Sequence, residues 1–446
     1  VSEDGRAYWA RNAWVRGAIR ENVRITAAAD GTISAVDTDT PCAAGDVVLG
    51  GVVYPGAVNA HSHAFHRLLR GRTHADGGSF WTWRELMYKE ADALEPDRYE
   101  AIATAVYGEM VAAGWTSVAE FHYVHHRTDG SPYGHPHAFE QALARAATTA
   151  GIRLTLLDTC YLAGGFGQPL SPGQRRFGDG TVRAWLDRHR SLGASLSDEF
   201  DDRFVSVGAA VHSVRAVPVE ALEILAGELD PRLPLHIHLS EQPAENDACR
   251  EATGRTPTEL LHDVGLLRPT LSAVHATHLT PNDVGLLGEA GGTVVMCPTT
   301  EADLGDGIGP ARALRDAGVR IALGTDQHAV IDPFLEARGL EYGERLASGQ
   351  RGRFSPQELL AAMGSGGSAS VGRPVGLIEP GQPCDFIEVD PGSARTSGSE
   401  LGQIVMTGTA ADVMSVVIGA ERVARRGVHE TLGDIGAFFE SARGRR

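Results

Sequence analysis

The sequence predicts an α/β fold: a (β/α)8 barrel of the TIM type with a small β-sandwich domain assembled from both ends of the chain. Three observations predict it. From about residue 52 onward, short apolar or β-branched runs alternate with longer amphipathic stretches, the pattern of repeated βα units and a parallel sheet. Eight such runs can be counted, the number a closed barrel requires. The two ends instead carry short alternating segments broken by turn residues, as antiparallel strands do. At 446 residues the chain has room for a large barrel and one accessory domain.

The eight runs are 52–60 (VVYPGAVNA), 116–122 (TSVAEFH), 153–159 (RLTLLDT), 205–212 (VSVGAAVH), 234–240 (PLHIHLS), 272–278 (SAVHATH), 292–298 (GTVVMCP) and 320–326 (RIALGTD). Between them, stretches such as 97–113, 137–150, 217–228 and 309–317 place apolar residues at three- and four-residue spacing and are expected to be helices. An open doubly wound sheet would need a Gly-rich phosphate turn after the first strand, and none occurs. The terminal segments AWVRGAI, NVRITAA and GTISAVD, with CDFIEVD, VMSVVIG and ERVARRGVH, read as one split domain, so residues 1–54 plus 377–446 are expected to form the β-sandwich and 55–376 the barrel. The segment 163–180, with six glycines and two prolines, is too irregular for a helix and is expected to be a lid or active-site loop.

With 42% hydrophobic and 22% charged residues and no apolar run of bilayer length, the composition is that of a soluble protein with no membrane partner. Residues 1–20 lack the basic start and continuous apolar stretch of a secretory signal. The five cysteines are scattered, odd in number and form no CxxC pair, as expected of a reducing cytoplasm. A net charge of −17 argues against a nucleic-acid partner and would repel anions generally. An acidic ligand must then be held by arginines placed inside a pocket. A homodimer is the ordinary expectation for an enzyme of this size.

In such barrels the reactive groups lie at the C-terminal ends of strands. His61 and His63 end the first strand, and residues two apart on a strand share a face. Two imidazoles so placed suit a metal ion, although HxH alone is more often structural. The fifth strand ends His236-Ile-His238-Leu-Ser-Glu241 and the eighth Gly324-Thr325-Asp326. A third imidazole and a carboxylate would complete a catalytic site with room for water. Alternation puts His236 and His238 on one face, so spacing does not choose between them; for Asp326 alone, a helix cap would be the plainer reading.

The combination of PGAVNAHSH, HLSE, AVHATH and LGTD, spread from about Tyr54 to Asp326, resembles the amidohydrolase superfamily in its deaminase branch, and the split β-domain is similar to that family's. Within it, SFWTWRELMY (79–88), AEFHYVHH (119–126), HSVRAV (212–217) and CPTTEADLGDG (297–307) resemble the formimidoylglutamate deiminases of histidine degradation. The resemblance implies one divalent metal, zinc as first expectation, held by His61, His63, His238 and Asp326, with His236 structural. It implies Glu241 and His275 as acid–base residues; Asp326 is the candidate base beside the water that zinc would ionise, and His278, on the same strand as His275, is read as a partner behind the site. The substrate implied is small and acidic, N-formimino-L-glutamate, whose carboxylates would meet Arg84 and Arg215, with Tyr123 and His212 as hydrogen-bond partners.

Two features bear on the resemblance. The chain has a single lysine, Lys89, in a helical stretch, so the carbamylated lysine that bridges two metals in many superfamily members has no candidate at a strand end. His66 stands where the family pattern usually has Gln against the substrate, and an ordinary imidazole changes charge near neutrality. The competing readings are another deaminase of the superfamily, acting on a guanine, adenosine or pterin-type ring, and a non-catalytic barrel scaffold.

Overall fold

The computed structural model describes residues 5–74 and 80–444; of the sequence motifs, only Ser79 of SFWTWRELMY lies outside them. The chain opens with strands β1 (Arg6–Val15), β2 (Ala18–Ala27), β3 (Ile33–Asp37) and β4 (Val47–Pro55). It then enters eight further strands, β5 (Ala57–Ser62), β6 (Trp115–His122), β7 (Arg153–Cys160), β8 (Val205–Val211), β9 (Leu235–Leu239), β10 (Leu271–His275), β11 (Thr293–Met296) and β12 (Arg320–Leu323). It ends with β13 (Phe386–Val389), β14 (Val413–Ile418), β15 (Glu421–Arg425) and β16 (Val428–His429).

Strands β5 to β12 pair in sequence order, every neighbour parallel. Helices alternate with them because the intervening segments are amphipathic and well capped. Helix Pro281–Ala290 is representative: the Thr280 hydroxyl accepts from Asp283 N–H at its start, and Gly291 ends it in the left-handed region at φ 65°. The barrel closes between β12 and β5 over a few residues only. His61 O accepts from Thr325 N (3.1 Å) and Asp326 N (3.0 Å), and Asp326 O accepts from His63 N (3.1 Å). A Cβ on Gly324 would stand 2.8 Å from His61 Cβ, so this seam needs glycine.

The other eight strands form one mixed sheet in the order β16-β15-β14-β13-β4-β1-β2-β3. It rolls over a separate small core of Tyr8, Val23, Ile25, Ile33, Val53 and Phe386, and Thr32 bridges to Pro383. Buried Arg153 on β7 ties it to the barrel through a forked pair with Asp385, Nε–Oδ2 2.6 Å and Nη2–Oδ1 2.9 Å. The predicted first strand, 52–60, needs correction, since Val52–Pro55 belongs to β4 of the terminal sheet and only Ala57–Ser62 to the barrel. Both halves are apolar and buried, so only Pro55-Gly56 marks the change of sheet. Segment 163–180 is irregular apart from the short 3-10 turn Pro172–Phe177. Among the described residues no helix is long and apolar enough to cross a membrane.

Candidate active site and metal centre

The strand ends of the closing seam and of β9 bring three imidazoles and one carboxylate together. His63 Nε2 and His61 Nε2 each stand 3.2 Å from His238 Nε2. Asp326 Oδ1 lies 3.3 Å from His61 Nε2 and 3.4 Å from His63 Nε2. Ligands about 2.0–2.1 Å from a tetrahedral ion are about 3.3–3.4 Å from each other, so the spacing is that of a coordination shell. Proton placement agrees. His63 Nδ1 donates to Phe121 O (2.8 Å) and His238 Nδ1 to His212 O (2.9 Å); a carbonyl only accepts, so both Nε2 atoms present lone pairs with no proton between them. Burial holds His61 below its ordinary pKa and His63 and His238 well below it, so the rings are neutral. Converging neutral donors with a carboxylate fit a divalent cation and repel one another without it.

Around this set stand the proposed acid–base groups. His275 ends β10, with Nε2 3.9 Å from Glu241 Oε1 and 4.0 Å from Asp326 Oδ2, and Nδ1 3.4 Å from Glu301 Oε1. Burial opposes its charged form, but Glu241, Glu301 and Asp326 together outweigh that and push His275 up to about 10. Burial, with Asp326 adding to it, raises Glu241. Asp326 is lowered despite burial because His61 and His275 face it. Ser240, His275 and Asp326 all adopt left-handed backbone, at φ 49°, 67° and 43°. Such strain on non-glycine residues collects at functional sites.

The pocket leading from this set is lined further by Arg84, Tyr88, Tyr161, Phe177, His212 and Arg215. Helix Phe80–Asp92 brings Arg84, whose Nε and Nη2 donate to Tyr88 OH at 3.0 and 2.8 Å. The turn after β8 brings His212 and Arg215, whose Nε lies 3.4 Å from buried Glu245 Oε1. Tyr123 OH pairs with His66 Nε2 at 2.8 Å. Burial takes His66 down to about 3, so the expected change of its charge near neutrality does not occur; the ring is neutral.

Of the residues expected at the site, all but His61 line one cavity, His61 standing against it on His238 and Asp326, and two histidines are set apart. His236 Nε2 meets Ser370 O (3.0 Å), and His278 Nε2 meets Asp306 O (2.8 Å). Lys89 is exposed on helix Phe80–Asp92 and supplies no amine to the strand ends. Sequence reasoning missed Glu245, Glu301, Tyr161 and Asp306. Burial and the nearby charge of Glu241 raise Asp306 to about 8.

A second buried group, His122, His125 and Glu140, also has metal-ligand chemistry, but its carboxylate is already engaged. Arg188 reaches Glu140 (3.1 Å), Asp158 (2.9 Å) and Asp179 (2.8 Å). Each carboxylate also meets histidine: Glu140 meets His125 and His122, Asp158 meets His189 and His125, and Asp179 meets His126. A guanidinium at the centre of three acids leaves little attraction for a cation.

The geometry joins a parallel barrel to a His/Asp cluster at its strand ends, and comparison with known proteins gives that combination a class. The Amidohydrolase family profile matches residues 52–423. The chain belongs to the amidohydrolase family, whose members are metal-dependent, and is a hydrolase of C–N bonds. Within that family it is 38% identical over 439 residues to the formimidoylglutamate deiminase of Pseudomonas aeruginosa, covering 95% of each chain. It is also 30% identical over 362 residues to a 5-methylthioadenosine/S-adenosylhomocysteine deaminase of Halobacterium salinarum, covering 79% of this chain and 76% of that one. Among solved structures, an amidohydrolase from Brucella melitensis superposes with a TM-score of 0.91 at 32% identity, covering 98% of this chain and 99% of that one. An adenosine deaminase from Xanthomonas campestris with bound zinc shares the fold, with a TM-score of 0.83 at 24% identity over 99% and 97%.

Proposed function

We propose that this enzyme hydrolyses N-formimino-L-glutamate to N-formyl-L-glutamate and ammonia, a step of histidine degradation. The observation that carries the reading is the charge division of the pocket lining: Arg84 and Arg215 stand in it together with His63, His238 and Asp326 of the ligand set. A substrate with two carboxylates at one end and an amidine at the other matches that division. A purine ring carries no carboxylate to match the guanidinium groups of the lining. The likeness to the Pseudomonas aeruginosa deiminase supports the same substrate.

The four ligands would hold one divalent cation, zinc in this reading, which supplies Lewis acidity and lowers the pKa of water. Asp326 Oδ2 faces His275 and is the base that takes a proton from the attacking water. Protonated His275 stabilises the negative charge that grows on the water oxygen. The oxygen adds to the formimino carbon, whose C=N bond becomes single. Glu241, raised by burial, shuttles both water protons to the nitrogen, first the one Asp326 took and then the one left on the oxygen, so that C–N cleavage releases ammonia as the C–O bond becomes the formyl carbonyl. His66, Tyr123 and His212 bind the amidine and the adjoining chain, and the arginines bind the carboxylates.

The reading places the enzyme in the cytoplasm as a homodimer. Ammonia release from N-formimino-L-glutamate, measured beside adenosine and guanine derivatives with the acyl product identified, tests it; release from a purine alone refutes it.

A further inference from the structure

Helix Phe80–Asp92 carries Trp83, Arg84, Met87 and Tyr88 along the pocket wall, and a relay of side chains pins its first turns. Trp83 Nε1–H donates to Gln327 Oε1 at 2.7 Å. Gln327 Nε2 donates to Asp303 Oδ2 at 2.7 Å, and Asp303 Oδ1 meets His74 Nε2 at 2.7 Å. An indole can only donate and a carboxylate can only accept. The amide between them therefore has one orientation, and reversing it would break both bonds. Gln327 is 4% exposed and directly follows Asp326; its backbone N–H reaches Thr300 Oγ1 at 3.4 Å. The relay thus runs from the closing seam of the barrel, through helix Pro298–Leu304, to the helix over the pocket. The Trp83 ring stands edge-on to His66, centroids 5.3 Å apart, so displacing the indole moves a wall of the cavity.

We infer that Gln327 is a positioning residue: it fixes Trp83, and through that helix Arg84, relative to the His/Asp set, so that anion capture and bond cleavage occur at a fixed separation. What the pocket binds rests on the deiminase reading; the relay itself can be tested without substrate.

The test reverses the polarity of one link. Q327E sets a carboxylate against Asp303 while keeping an acceptor for Trp83. KM for N-formimino-L-glutamate should rise about tenfold with kcat within about threefold, the coupling expected of hydrogen-bonded neighbours. D303N alone keeps an acceptor and should cost about threefold. In Q327E/D303N the new amide can donate to the new carboxylate, and KM should return to within about threefold of the parent. W83F keeps the ring, loses the donor and should reproduce the rise. Hydrogen exchange of amides 83–92 in the metal-loaded, substrate-free enzyme should be about tenfold faster in Q327E and restored in the double variant. An unchanged KM in Q327E, or a double variant no better than Q327E, overturns the inference. If the parent enzyme fails to turn over N-formimino-L-glutamate, the deiminase reading fails, and exchange alone decides the relay: parent-like exchange in Q327E overturns it, and rescue in the double variant upholds it.

Discussion

Replacing Arg215 with methionine separates substrate binding from chemistry. The guanidinium does two things. Its Nε stands 3.4 Å from Glu245 Oε1, and the residue lines the pocket. A hydrogen bond between charged partners contributes about 1.5–3 kcal/mol, so KM should rise roughly 10- to 150-fold. A carboxylate far from the reacting carbon is held equally in ground and transition states, so kcat should stay within about threefold. Glu245 is 3% exposed and would lose its cation. Breaking a buried pair costs about 3–5 kcal/mol, and the figure here should fall near the lower end because the Arg215 side chain is about one-third exposed. R215M/E245Q should therefore recover stability in urea unfolding while KM remains high. Steady-state ammonia release provides the kinetic assay. An R215M enzyme with parental KM and a kcat lowered as much as kcat/KM would refute the reasoning, because the arginine would then act in bond breaking.

Four further outcomes are expected. H66Q should change KM, yet leave the shape of the pH–rate profile between pH 5 and about 9 as it was, since His66 is already neutral there; a lost or shifted limb would contradict this. H238A should hold less than about a tenth of the metal per chain of the parent by elemental analysis, because one corner of the shell is gone. G324A forces a Cβ to within 2.8 Å of His61 Cβ and should destabilise the fold by about 1–3 kcal/mol in denaturant titration. Glu120 is buried against Ser62 and Ala64, and burial raises it to about 7. A raised carboxyl contributes stability that is full below its unfolded pKa near 4.5 and lost as pH rises through 7, so the parent should lose about 3 kcal/mol relative to E120Q between pH 4 and 8. Parallel stability curves would show that Glu120 is not raised.

Much of this molecule can be read along the chain because its information is periodic. Seven of the eight barrel strands lie within a few residues of their apolar runs, and His61, His63 and Asp326 stand at strand ends where side-chain direction follows from period two. The first strand was misjudged because β4 and β5 are both fully apolar where they meet, and hydrophobicity does not say which of two sheets a buried strand joins. Period two also could not separate His236 from His238; Ser370 O, 134 residues downstream of His236, does that. Glu245, Asp306 and Gln327 carry no local signal. Each acquires its partner, Arg215, Gln242 or Trp83, only when the loops fold over the barrel mouth. The neutrality of His66 follows from burial and was equally out of reach of composition.

The spacing of four side chains underlies the whole account, and loading with metal tests it most directly. Protein stripped with chelator and titrated with zinc should bind one ion per chain, gain thermal stability and release one ammonia per N-formimino-L-glutamate consumed, leaving N-formyl-L-glutamate. Full turnover by metal-free protein, or two ions per chain with unchanged activity in H238A, would contradict it.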